Sequence, residues 1–147
     1  MSRLLTRLLF CSVLLAPCSR LLAGDAVAIG YNADGIWTAV TYDRSATRKG
    51  GKDYRTSDQA REFALRDVRR RSEAEIATTH ILSSSDSTGF VAVARGKDKS
   101  ERDFHAVGRG KSQAEADKKA FDLLNEAGAG EEQKIVYRYF SYGADSK

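Results

Sequence analysis

Cysteine is missing from most of this 147-residue sequence, because its two copies, Cys11 and Cys18, both lie near the amino terminus. Downstream of them no disulfide, zinc–thiolate site or cysteine nucleophile can be built. Histidine is nearly as scarce. His80 and His105 are the only two, and no carboxylates surround them at ligand spacing, so no metal site is expected. The longest largely apolar stretch, Leu8–Ala16, is broken by Ser12 and falls well short of the roughly 20 residues of a membrane-spanning helix. A surplus of one charge is lacking too. The formal net charge is +4, from 24 Lys and Arg against 20 Asp and Glu. Arg3, Arg7 and Arg20 precede Ala23, where no acidic residue occurs, so from Gly24 onward the balance is 21 against 20, or +1. A global electrostatic case for nucleic acid or an anionic membrane then loses most of its force.

What stands at the amino terminus is an address. Arg3 and Arg7, the apolar run, and the small residues Ala23, Gly24 and Ala26 follow the order of a secretory signal peptide. Residues 1–23 are read as that signal, with cleavage after Ala23, and residues 24–147 as one domain in the periplasm or outside the cell. Both cysteines leave with the signal. "LLAPC" also places Cys18 where a lipidation site would, but Pro17 occupies a position that such signals give to Gly, Ala or Ser. Membrane attachment is expected only if Cys18 is lipidated. About 124 residues remain, enough for one core without staples.

Two similar halves follow, over about 26–84 and 88–143. The first runs "VAIGY", a turn, "IWTAVTY", a polar loop, the helical "SDQAREFALRDVRRR" and "IATTHIL". The second runs "FVAVAR", a charged turn, "FHAVG", the helical "SQAEADKKAFDLLNEA" and "KIVYRYFSY". Thr56, Ala60, Ala64, Leu65 and Val68 correspond to Ser112, Ala116, Ala120, Phe121 and Leu124 at a constant offset of 56. The expected fold class is α+β. Two ββαβ repeats form a mainly antiparallel sheet with two helices packed on one face. Ile135, Tyr137 and Tyr139 are expected to mark the covered side of the last strand, and Trp37 to lie beneath a helix.

The stretch "GRGKSQAEADKKAFDLL" (Gly108–Leu124) ends its Gly-Lys-Ser as a phosphate-binding loop does. That loop needs G-x-x-x-x-G-K-[ST] so that successive amides can curl around phosphates. Five residues before Gly110 stands His105, inside a strand, so the motif is not met. Physically the stretch is a strand, a turn and a capped helix. Ser112 is the cap, Glu115 reaches back to the cap amide, and Gly128 supplies the stop.

The same stretch has a G-x-G-x-S-x-x-x-A-x-x-x-A pattern that resembles the last strand–helix junction of double-stranded-RNA-binding domains. The resemblance covers roughly Thr56 to Gly128 in the order α-β-β-β-α. It implies lysines opening the last helix to grip phosphates, but the aligned Gln113, Ala114 and Asp117 are not basic. A second resemblance rests on "AVAIGYNADGIWTAV" followed by "TSDQAREFALRDV". This is similar to a group of exported bacterial domains of unknown function, with an A-I-A strand, a Gly-Trp strand and a Ser-x-x-x-A-x-x-x-A-L helix. Their usual cysteines are absent here. That resemblance implies export and a small α+β fold, and no established activity.

No catalytic residue, cofactor or metal site is expected. "HILSSSD" (His80–Asp86) holds the residue types of a hydrolase triad, but neighbours along one strand and turn point to opposite faces and cannot converge. It reads as a polar loop. The expected partner surface is Arg69, Arg70 and Arg71 at a helix end, together with Phe140 and Tyr142 facing outward from "YRYFSYG". The arginines also complement the helix dipole, with Asp67, Glu73 and Glu75 as nearby partners. The sequence therefore predicts an exported, non-enzymatic binding or interaction domain. Its partner would be a protein or an anionic envelope component. Nucleic acid is the alternative only if the chain stays in the cytoplasm as a duplex-RNA-binding-like module. The residues specify no oligomeric state.

Overall fold

Small residues decide how closely the layers of this protein approach. The computed structural model describes residues 24–43, 56–71 and 76–142, with backbone alone for 40–43. The proposed signal (residues 1–23), both cysteines, Glu73, Glu75 and most of the polar loop of the first half lie outside the described residues. Strands β1 (Asp25–Tyr31) and β2 (Trp37–Asp43) precede helix α1 (Ser57–Arg71) and strand β3 (Thr78–Ser85). Strands β4 (Gly89–Lys97) and β5 (Asp103–Gly110) precede helix α2 (Gln113–Glu126) and strand β6 (Glu131–Ser141). The class is α+β, built from two ββαβ units.

The strands form two antiparallel sheets of three rather than one of six, in the orders β2-β1-β3 and β5-β4-β6. The helices lie on opposite outer faces. Ala26 and Ala28 of β1 pack on Ala60, Ala64 and Val68 of α1. Ala92 and Ala94 of β4 pack on Ala116, Ala120 and Leu124 of α2. The alternate residues Val27, Val91, Val93 and Tyr139 form a third cluster between the sheets. The reason is in the central strands, "AVAI" and "VAVA", which are apolar on both faces. A single sheet with both helices on one side would leave the valine face in water. Stacking the sheets removes it.

Local signals fix the ends. Ser112 Oγ accepts the Glu115 amide at 3.2 Å, and the Glu115 carboxylate accepts the Lys111 amide at 2.9 Å rather than that of the cap residue. At the other end Gly128 has φ +78°, and the Ala129 amide returns to the Leu124 carbonyl at 2.9 Å. Leu124 and Ala129 both join the α2 core cluster, the apolar contact that accompanies a left-handed helix stop. The β1–β2 and β4–β5 turns share one design. Asn32 Oδ1 accepts the amides of Asp34 and Ile36 at 3.0 and 2.8 Å. Asp98 Oδ1 accepts those of Ser100 and Arg102 at 2.8 and 3.0 Å.

Two expectations are corrected. Ile135, Tyr137 and Tyr139 do not share a side. The register with β4 shifts between Val93 and Ala94, so Ile135 joins the α2 cluster while Tyr137 and Tyr139 face the other sheet. "HILSSS" is strand rather than loop, because β3 pairs with β1 up to Ser85.

Candidate binding surfaces

The seam between the sheets holds the molecule's buried polar groups, one cluster at each end. At one end Asp25, with a side chain 1% exposed, accepts three hydrogen bonds from the other sheet. The Arg109 guanidinium reaches it at 2.8 and 2.9 Å, and the Tyr139 hydroxyl donates to it at 2.6 Å. Arg109 also donates to Ser83 Oγ at 2.9 Å. Burial, with Asp25 beside it, pushes the Tyr139 hydroxyl far above its ordinary pKa. A carboxylate, a guanidinium and a neutral phenol satisfy one another here, which ties β1 and β3 to β5 and β6.

At the other end Asp103 accepts the Trp37 amide at 3.0 Å and Arg95 Nε at 2.7 Å. Burial works against its charge, but the Trp37 amide and Arg95 outweigh it and hold its pKa below the usual value. His105 lies beside this pair. Its Nδ1 is 3.2 Å from the Tyr31 hydroxyl, and its ring centroid is 5.7 Å from that of Trp37. Burial, followed by Arg95, pushes its pKa down to about 4. Burial and then Asp103 push Tyr31 up to about 12. Trp37 is not beneath a helix. It sits at the mouth of the seam, 37% exposed, with Arg95 over its ring at 5.3 Å.

The outer surface carries the residues singled out in the sequence. Arg69, Arg70 and Arg71 are exposed at the last turn of α1. Arg70 and Arg71 both lean on Asp67, at 3.3 and 3.9 Å, while Arg69 borders a shallow groove of about 410 Å³ with Ile76, Thr78 and Thr79. These arginines and the aromatic pair do not meet: they belong to different sheet–helix layers. Phe140 and Tyr142 stand edge to face at 5.1 Å, and Phe140 stands edge to face on Phe90 at 5.0 Å. This ladder faces the α2 side of β6, where Arg138 holds Asp117 of α2 at 2.9 Å. Helix α2 lies chiefly over β5 and β4 and barely reaches β6. Among the described residues the outer face of β6 is consequently left open, with Tyr142 37% exposed. Phe140 is half-buried by its aromatic neighbours.

The remaining candidates are engaged in structure. Asp86 accepts the Ser57 amide at 2.8 Å and steadies the start of α1. His80 is exposed, and Ser83 serves Arg109. In α2, Lys118 pairs with Asp122 at 2.7 Å and Lys119 with Glu115 at 2.9 Å. Among the described residues no three His, Cys, Asp or Glu side chains gather where a metal ion could sit. The seam clusters escaped sequence reasoning, because Asp25, Arg95, Asp103 and Arg109 look like ordinary surface charges until the sheets stack. Their place in apolar strands, on the alternation of the valines, was the available signal. No family model, no curated protein and no solved structure matches this chain.

Proposed function

We propose that this chain is an exported, non-enzymatic binding domain that captures an extended segment of a partner protein along β6. The carrying observation is that α2 leaves the outer face of β6 uncovered, with Phe140 and Tyr142 in an edge-to-face ladder above it. Among the described residues β6 pairs with β4 alone, so its other edge offers a row of backbone donors and acceptors. A strand added there gains main-chain hydrogen bonds, and the ladder supplies side-chain selectivity. The engagement of Asp25, Asp103 and His105 in the seam supports a binding role over a catalytic one.

The duplex-RNA alternative draws less support. The three strands of its α-β-β-β-α stretch are divided between two sheets, and Lys118 and Lys119 are held by carboxylates. Salt-sensitive binding of duplex RNA by a cytoplasmic form would favour it. The resemblance to exported domains supports the compartment. Photo-crosslinking from position 142 in the native host is expected to give one discrete protein adduct that disappears with Phe140→Ser. Adducts no different from those at position 118, on α2, would sink the β6 reading. Export is tested separately by intact mass. Loss of residues up to about Ala23, in periplasm or medium, supports it, and a mass beginning at a lipid-bearing Cys18 makes the domain membrane-tethered. A full-length cytoplasmic species overturns it.

A further inference from the structure

The two ends of the seam differ in one respect. The Asp25 end is closed by a carboxylate, a guanidinium and a phenol, whereas the Asp103 end also contains an imidazole. His105 projects from β5 into the seam, where its ring meets Tyr31 at 6.0 Å and Trp37 at 5.7 Å between centroids. Its Nδ1 has the Tyr31 hydroxyl, but its Nε2 is buried with no hydrogen-bond partner. As a neutral ring in the tautomer whose Nδ1–H donates to Tyr31, it leaves only a bare Nε2 lone pair, which fits this aromatic setting at modest cost. As a cation it does not, because the Nε2–H would be a charged donor without an acceptor.

Among the described residues the surroundings offer no second counter-ion. The titratable and charged groups around it are Tyr31 on β1, His80 on β3, Arg95 on β4 and Asp103 on β5 itself. Asp103 is already committed to Arg95, at 2.6 Å, and to the Trp37 amide. Tyr31 stays neutral through the acid range. His80 is exposed, with its ring 6.2 Å from that of Tyr31. A charged His105 would thus stand beside Arg95 as a second cation in one small space.

We propose that His105 is an acid-sensitive latch between the two sheets: protonation of its ring releases the Trp37–Asp103 end of the seam and exposes Tyr31 and Trp37. The Asp25–Arg109–Tyr139 end contains no histidine and holds the sheets together as the first end opens. The direction follows from linkage. The folded-state pKa, about 4, lies below the ordinary 6.5, so the closed seam is fully favoured above pH 6.5 and loses that advantage as pH falls toward 4. This device is independent of the β6 face and of the compartment.

Trp37 is the only tryptophan, so its fluorescence reports this end of the seam alone. The full chain is expected to show a transition with its midpoint between pH 4 and 6.5, unchanged in His80→Gln. In His105→Phe, which keeps an aromatic ring, the transition should move below 4, into the carboxylate range. An identical midpoint in His105→Phe overturns the proposal. Proton NMR of the wild type reads the two imidazoles directly and decides the matter if that variant fails to fold. The His105 ring should titrate only as the Trp37 signal changes. A His105 ring that titrates near 6.5 in the closed protein also overturns it.

Discussion

Gly108 of β5 lies directly beneath the backbone of α2 at Ala116. A Cβ at position 108 would collide with the Ala116 carbonyl and the Ala120 amide. The first glycine of "GRGKS" therefore exists for helix–strand contact, and Gly110 does the same against the Ala116 amide and Glu115. Gly108→Ala is expected to destabilise the fold by about 3 kcal/mol or more, since main chain rather than a flexible side chain must shift. Gly128→Ala has open space and faces only its φ of +78°, so its cost should be about 1 kcal/mol. Urea unfolding of both variants separates these effects.

Tyr139 and Asp25 are 114 residues apart in sequence and joined at 2.6 Å. Tyr139→Phe should cost about 1–2 kcal/mol, because Arg109 still serves the carboxylate. Asp25→Ala should cost about 3–5 kcal/mol, because it leaves the Arg109 guanidinium and the Tyr139 hydroxyl without their acceptor. Thermal unfolding should therefore rank Asp25→Ala well below Tyr139→Phe. Equal losses would mean that the pair does not organise the seam.

The matched turns predict opposite effects from exchanging their fourth residues. Gly35 has φ +76° and Glu101 has φ +63°, both left-handed. Glu101→Gly should raise stability by about 0.5–1 kcal/mol by relieving that conformation, less the exposed contact of Glu101 with Lys97. Gly35→Ala should lower stability by about 1 kcal/mol. Melting temperatures of the two variants test the pair.

Stability should fall on acidification in two adjoining windows. Between pH 6.5 and about 4 the unfolded chain binds a proton at His105 that the folded chain refuses, so stability drops by at most about 3 kcal/mol at 1.4 kcal/mol per pKa unit. Asp103, held below its ordinary value of 3.8, stabilises the fold above that pH and withdraws its contribution as pH falls through the lower folded value. Urea midpoints measured across this range should show both steps for the wild type and only the lower one for His105→Phe.

Much of the fold was legible because it is local. The offset of 56 between Ala60–Ala64–Val68 and Ala116–Ala120–Leu124 marked both buried helix stripes, and all six are buried. Ser112 and Gly128 announced the ends of α2. The number of sheets was less plain. One sheet with both helices on one face implies half-covered strands, although "VAVA", an apolar run without polar alternation, is the pattern of a strand covered on both faces. The candidate surface was half legible. Phe140 and Tyr142 could be placed on one side of β6 by alternation, but the reach of α2, which leaves them open, could not.

The sequence by itself determined the caps, the helix stripes, the turn residues and the two ββαβ units, because each depends on neighbours within a few positions. Only the tertiary structure decided that the sheets stack, that a bulge sends Ile135 and Tyr137 to opposite faces, and that Asp25 meets Arg109 and His105 meets Tyr31 and Trp37. Those pairings join residues some 70 to 84 positions apart. Their partners are fixed by how two apolar faces fit together, and no local periodicity encodes that fit.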